Sequence, residues 1–235
     1  MITIRKSDSR FKADRGWLKS AFTFSFADYD DPAHAGFRSL RVMNEDRISP
    51  GKGFGPHAHR DMEIITYVLE GKLLHRDSMS GPHTMGPNEI QTMSAGNGVV
   101  HSEFNASQTE PVHLVQIWIE PSAEDLPPSY QQVAVEPSAK RGRLHLLAGP
   151  ADSRQMPATT INQDARLYVS ELAAGEAVSQ ELASGRHAWV QVVRGEASLN
   201  GQPLHEGDGA SVSGEPRIEV TGGAAGGEIL LFDLA

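Results

Sequence analysis

An all-β fold is predicted for this chain of 235 residues, on three observations. Its 23 glycines and 14 prolines punctuate short apolar runs, the pattern of many strands joined by turns. Long helical periods are absent. A strand-glycine-strand element recurs, as Tyr67-Val68-Leu69-Glu70-Gly71-Lys72-Leu73 and again as Gln191-Val192-Val193-Arg194-Gly195-Glu196-Ala197, which predicts an internal duplication.

Taken in order, the apolar runs bounded by glycine, proline or polar turns place strands at 39–44, 57–69, 71–77, 89–93 and 113–120 in the first half. In the second half the same pattern places them at 143–148, 167–173, 188–194, 196–200, 217–221 and 229–233. Asn200-Gly201 marks a two-residue hairpin, because both positions tolerate positive φ. A short helical turn is expected at 122–126, ended by Pro127 and Pro128, since proline disfavours helix in the residue before it. The segment from Pro121 to Pro137 holds four prolines among polar residues and reads as a connection between two domains, 1–132 and 138–235.

Composition narrows the function classes. A net charge of −9 argues against nonspecific nucleic-acid binding, which needs clustered Lys and Arg; Lys140-Arg141-Gly142-Arg143 reads as a solvated edge. Mean hydropathy is −0.36 and no 18-residue apolar run occurs, so no membrane span is expected. The N-terminal Met1-Ile2-Thr3-Ile4-Arg5-Lys6 lacks the apolar core of a signal peptide, and cysteine is absent, so a cytoplasmic location is expected.

The chemistry concentrates in two pairs, His57-Ala58-His59 and His101-Ser102-Glu103. Side chains at i and i+2 of a strand share a face, so two adjacent strands would aim three imidazoles and a carboxylate at one point. That donor set suits one divalent transition metal ion, with iron first and zinc, cobalt, nickel, manganese or copper also admitted, rather than calcium or magnesium. Without cysteine, thiolate sites are excluded. Four protein ligands on a six-coordinate ion leave two positions for a substrate oxygen and for dioxygen or water. Glu63 shares strand parity with His57 and His59 but lies about 13 Å along an ideal strand from His59, at ~3.3 Å per residue, and would need a bulge to join them. His187 and His205 belong to no such pair and read as surface or core residues, so the second domain is expected to hold no metal.

Other residues carry weaker signals. His75 and His113 fall on or beside predicted strands and read first as satisfied or exposed histidines, with a ligand-orienting role as the alternative. Gln116 interrupts an apolar run and faces either a cavity or solvent. Phe24, Phe26 and Phe54 read as core, Asp28 to Asp31 as a solvated turn, and the glycine-rich stretch Gly51 to Gly55 as a loop.

The spacings Gly51-x5-His57-x-His59-x3-Glu63 and Gly98-x2-His101-x3-Asn105 resemble the two motifs of the cupin superfamily, with Gly71 seven residues after Glu63 and no proline before Gly98. Thr23-Phe24-Ser25-Phe26-Ala27-Asp28-Tyr29, Leu40-Arg41-Val42-Met43-Asn44-Glu45-Asp46 and Gly53-Phe54-Gly55-Pro56-His57-Ala58-His59-Arg60-Asp61-Met62-Glu63 resemble pirins, as does Ser94-Ala95-Gly96-Asn97-Gly98-Val99-Val100-His101-Ser102-Glu103. The likeness is dense over residues 15–120 and looser in the second half. It implies two cupin β-barrels in tandem with few short helices. It also implies that Glu103, rather than Glu63, completes the metal site with His57, His59 and His101. The resemblance further implies a dioxygenase that cleaves flavonols such as quercetin with O2 and releases CO, with Glu103 accepting the substrate proton. Its substrate would be a small planar phenol. The alternative implied by eukaryotic pirins is a nonenzymatic metal- or redox-sensing regulator acting through a protein partner.

Overall fold

A computed structural model describes residues 1–235. The chain divides into two compact units, Phe11–Val135 with Ala158–Gln163, and Met1–Arg10 with Glu136–Pro157 and Asp164–Ala235. The units are discontinuous in sequence: Met1–Arg10 joins the later one and Ala158–Gln163 the earlier one, whereas the sequence reading drew two continuous domains. The strand Ile2–Arg5 pairs with Gly209–Ser213 of the later unit, because its alternating Ile2 and Ile4 pack on that unit's core.

The first unit holds two sheets. One runs in the order Ser129–Ala134, Glu89–Ser94, Glu63–Glu70, Val112–Ile119, Leu40–Ile48, Leu18–Phe22, Phe11–Asp14. The other runs Gly53–His59, Val99–Asn105, Leu73–Asp77, His83–Met85. They pack face to face through apolar clusters at both ends: Leu18, Ile48, Val68 and Leu114 meet Leu73 and Met85 at one, and Ile64 and Met93 meet Val99 at the other. Each cluster removes several aliphatic side chains from water, at about 1.5–3 kcal/mol per fully buried residue.

The second unit is built on strands in the order Ile2–Arg5, Gly209–Ser213, His187–Leu199, Arg217–Leu234, Ala165–Leu172, His145–Gly149. Two of these strands are longer than predicted. The runs at 188–194 and 196–200 are one strand, bent by irregularities beside Gly195, and those at 217–221 and 229–233 are likewise continuous. In the first unit the opposite occurs, and the predicted strand at 57–69 breaks after His59, where Asp61 turns with φ of 48°. The helical turn expected at 122–126 is a series of bends, while Pro137–Lys140 forms a single helical turn with proline in its first turn. No helix is long and apolar enough to cross a membrane.

Candidate metal centre

Adjacent strands position the histidines. Gly53–His59 and Val99–Asn105 pair antiparallel with His57 directly opposite His101, so the two side chains share a face with His59. This pairing requires Gly53, where a Cβ would meet the Glu103 carbonyl oxygen at 2.1 Å. Ligand atoms of His57, His59 and His101 all lie within 4.8 Å of one another. Glu103 stands beside them in a second group with His75 and His101 that meets the same limit. The structure thus brings the three predicted histidines together, and sets Glu103 against His101.

The chemistry of these donors fits a metal ion. His57 Nδ1 lies 2.8 Å from the Gly55 carbonyl and must donate to it, which leaves the lone pair of the neutral ring on Nε2. That Nε2 is 3.0 Å from Nε2 of His101. Two nitrogens bound at right angles to one ion at 2.0–2.1 Å would lie about 3 Å apart. Burial holds His59 and His101 neutral, helped by repulsion from neighbouring imidazoles as cations: desolvation and then His57 depress His59 to about 4 and His101 to about 2. Neutral imidazole is the form that binds metals.

Glu103 is buried, and its Oε1 has no hydrogen-bond partner, a costly arrangement that a cation would relieve. Its Oε2 accepts from Gln116 Nε2 at 2.9 Å, and Gln116 is held in that orientation by Thr66 Oγ1, which donates to Gln116 Oε1 at 2.8 Å. Desolvation raises the carboxyl to about 7 despite the Gln116 hydrogen bond, and Asp46 pushes in the same direction. Glu63 faces elsewhere. It is buried, accepting from Ser94 Oγ at 2.6 Å and from Asn162 Nδ2 at 3.0 Å.

Behind His101, fully buried His75 bonds Asp77 through Nε2 at 2.8 Å, and its Nδ1 accepts from Gln91 Nε2 at 3.2 Å. Desolvation lowers its pKa, against the pull of Asp77. His113 Nε2 meets Glu45 at 2.9 Å, while its buried Nδ1 has no partner. In the second unit His187 Nδ1 lies 2.7 Å from Ser213 Oγ, while His205 is largely exposed.

The histidines sit at one side of a cavity of about 440 Å³. Its wall is aromatic, formed by Trp17, Phe22, Phe26, Phe54 and Trp118. Phe26 and Phe54 therefore face the cavity, which an apolar run cannot distinguish from core. Trp118 packs edge-on to His59 with ring centroids 4.9 Å apart. Besides the candidate ligands, five polar residues interrupt the aromatic wall: Arg15, Ser20, Asn44, Asp46 and Gln116. Of these, sequence reading singled out only Gln116. The missed signal is that Asn44 and Asp46 share the parity of the apolar Leu40 and Val42 on one strand, which makes them inward-facing and polar.

The Pirin family profile matches residues 4–119 and the profile of the quercetinase C-terminal cupin domain matches residues 146–234. A quercetin 2,3-dioxygenase of Escherichia coli strain K12 is 42% identical over 234 residues, spanning 100% of this chain and 99% of its own. A putative quercetin 2,3-dioxygenase of Pseudomonas aeruginosa is 38% identical over the whole of both chains. The crystal structure of the bacterial pirin YhhW from Escherichia coli in complex with nickel(II) superposes with a TM-score of 0.92 at 42% identity, covering 100% of this chain and 99% of that one.

Proposed function

The chain belongs to the pirin family, and from that premise we propose that it is a metal-dependent dioxygenase that cleaves flavonols with O2 and releases CO. The observation that carries this reading is the convergence of three imidazoles and a buried, incompletely bonded carboxyl on an aromatic cavity of about 440 Å³. A cavity of that size and lining accepts a flat polyphenol. In this reading His57, His59, His101 and Glu103 hold one divalent transition metal. The relatives' shared name and the nickel complex of YhhW support both parts.

When bound, the metal supplies Lewis acidity that makes a coordinated phenol easier to ionise. The chain's own residues do the rest. Glu103, with Oε2 held by Gln116, is placed to accept the hydroxyl proton of a phenol at the histidines. Gln116 and Thr66 fix the orientation of that carboxylate. Trp118 and Phe26, in edge contact at 5.4 Å, present aromatic surface to a planar ligand and keep water from it. We assign no ligand role to Glu63, whose carboxylate oxygens are engaged by Ser94 and Asn162. The second unit carries no metal chemistry in this reading.

The test is an oxygen-electrode assay with quercetin and metal-loaded protein, combined with CO detection. Equimolar loss of quercetin and O2 with CO release is expected. Loss of quercetin without O2 uptake would remove the dioxygenase reading.

A further inference from the structure

A polar strip interrupts the aromatic lining, because Ser20 shares a strand face with Phe22 and Gln116 shares one with Trp118. Asn44 stands across from Gln116 on the neighbouring strand, and Asp46, two residues along, stands across from Ser20 on the other side. A polar strip therefore leads from Glu103 through Gln116 to Asn44 and on to Asp46. By strand geometry Asp46 is a diagonal neighbour of Gln116, about 7–8 Å away. Asn44 and Asp46 are 2% and 6% exposed, and both line the cavity. Asn44 Oδ1 has no hydrogen-bond partner, and Asp46 has the Ser20 hydroxyl on Oδ1.

Burying an amide and a carboxyl beside aromatic rings is costly unless a partner arrives, and apolar residues of similar size would be the more stable choice. The missing partner has a definite chemistry. An amide oxygen and a carboxylate both accept, so the complementary ligand groups are hydroxyl donors. A rigid planar ligand with one end at the histidines would bring its other end along this strip.

We propose that Asn44 and Asp46, the latter held by Ser20, form a second recognition site for the distal hydroxyl groups of a polyphenol whose near end lies at the histidines. This rests on the flavonol reading and adds that hydroxylation of the distal ring selects among flavonols. The test is equilibrium binding without turnover, using metal-loaded protein under anaerobic conditions at pH 8 and quenching of the cavity tryptophans Trp17 and Trp118 as the signal. The probes are quercetin and galangin, which is the same skeleton without the two distal-ring hydroxyls.

Wild-type protein is expected to bind quercetin roughly tenfold or more tightly than galangin, as a hydrogen bond to a charged group would give. Asp46→Asn and Asn44→Leu should each reduce that ratio toward one, with galangin affinity unchanged. A structural role alone would weaken both ligands in parallel, and that outcome would overturn the proposal. Equal wild-type affinities, or a preference surviving in both variants, would also overturn it. The preference is a binding property, so absent O2 uptake would remove the reaction and leave this site standing, whereas a wild type that binds neither flavonol would remove both.

Discussion

Two units with the same strand-glycine-strand element have opposite interiors. Gly71 and Gly195 occupy matching places in that element, a turn between strands in the first unit and a bend within one strand in the second, both left-handed with φ of 77° and 66°. In the first unit, Gly53–His59 before this element pairs with the later strand Val99–Asn105 through His57 opposite His101. In the second, Ala177–Glu181 pairs with the start of Arg217–Leu234 through Val178 opposite Val220, and both valines belong to one continuous apolar core with Ile218, Ile229 and Leu231. One interior is donor-lined and hollow, the other aliphatic and filled. The lesson is that the scaffold tolerates either, and that a few inward positions decide between chemistry and cohesion.

Removing a histidine tests the hollow side most severely. His101→Ala should reduce metal retention and O2-dependent quercetin consumption by more than about a hundredfold, read by elemental analysis and oxygen electrode, because even residues that merely support ligands cost 10–100-fold. The filled side should respond in stability instead. Leu231→Ala, at a position 1% exposed, is expected to cost about 2–5 kcal/mol in urea unfolding while leaving the metal content of the folded protein unchanged.

A smaller effect separates the ligands from their support. Gln116→Leu removes the donor that orients Glu103 and should weaken metal binding by about 10–100-fold without unfolding the barrel, as seen by competition with a chelator. Smallest is the effect of pH. His59 and His101 are depressed to about 4 and about 2 and are neutral throughout the range, whereas Glu103, raised to about 7, must lose a proton for the apo protein to take up metal. Affinity should therefore rise about tenfold from pH 6 to 7.5 and then level off. A steeper rise would mean that a histidine also titrates there.

The convergence of the two pairs was legible in the sequence because two-residue spacing on a strand is a strong geometric constraint and histidine is a specific donor. The strand carrying His101 and Glu103 was less so, since Val99–Asn105 mixes buried polar with apolar residues and shows no clean alternation. Sequence periodicity alone left Glu63 open. Its partner Asn162 comes from about a hundred residues away, a contact that no local pattern encodes. Asn44 and Asp46 were passed over for a related reason, since polarity on an inward face is visible only once strand partners fix which face is inward.

The central claim is that one metal ion per chain is held by the first unit alone. Counting metal per chain in wild type and in His101→Ala, each purified after saturation with the same ion, tests it directly. The predicted result is one equivalent falling to near zero. Retention of an equivalent by His101→Ala, or two per wild-type chain, would contradict it.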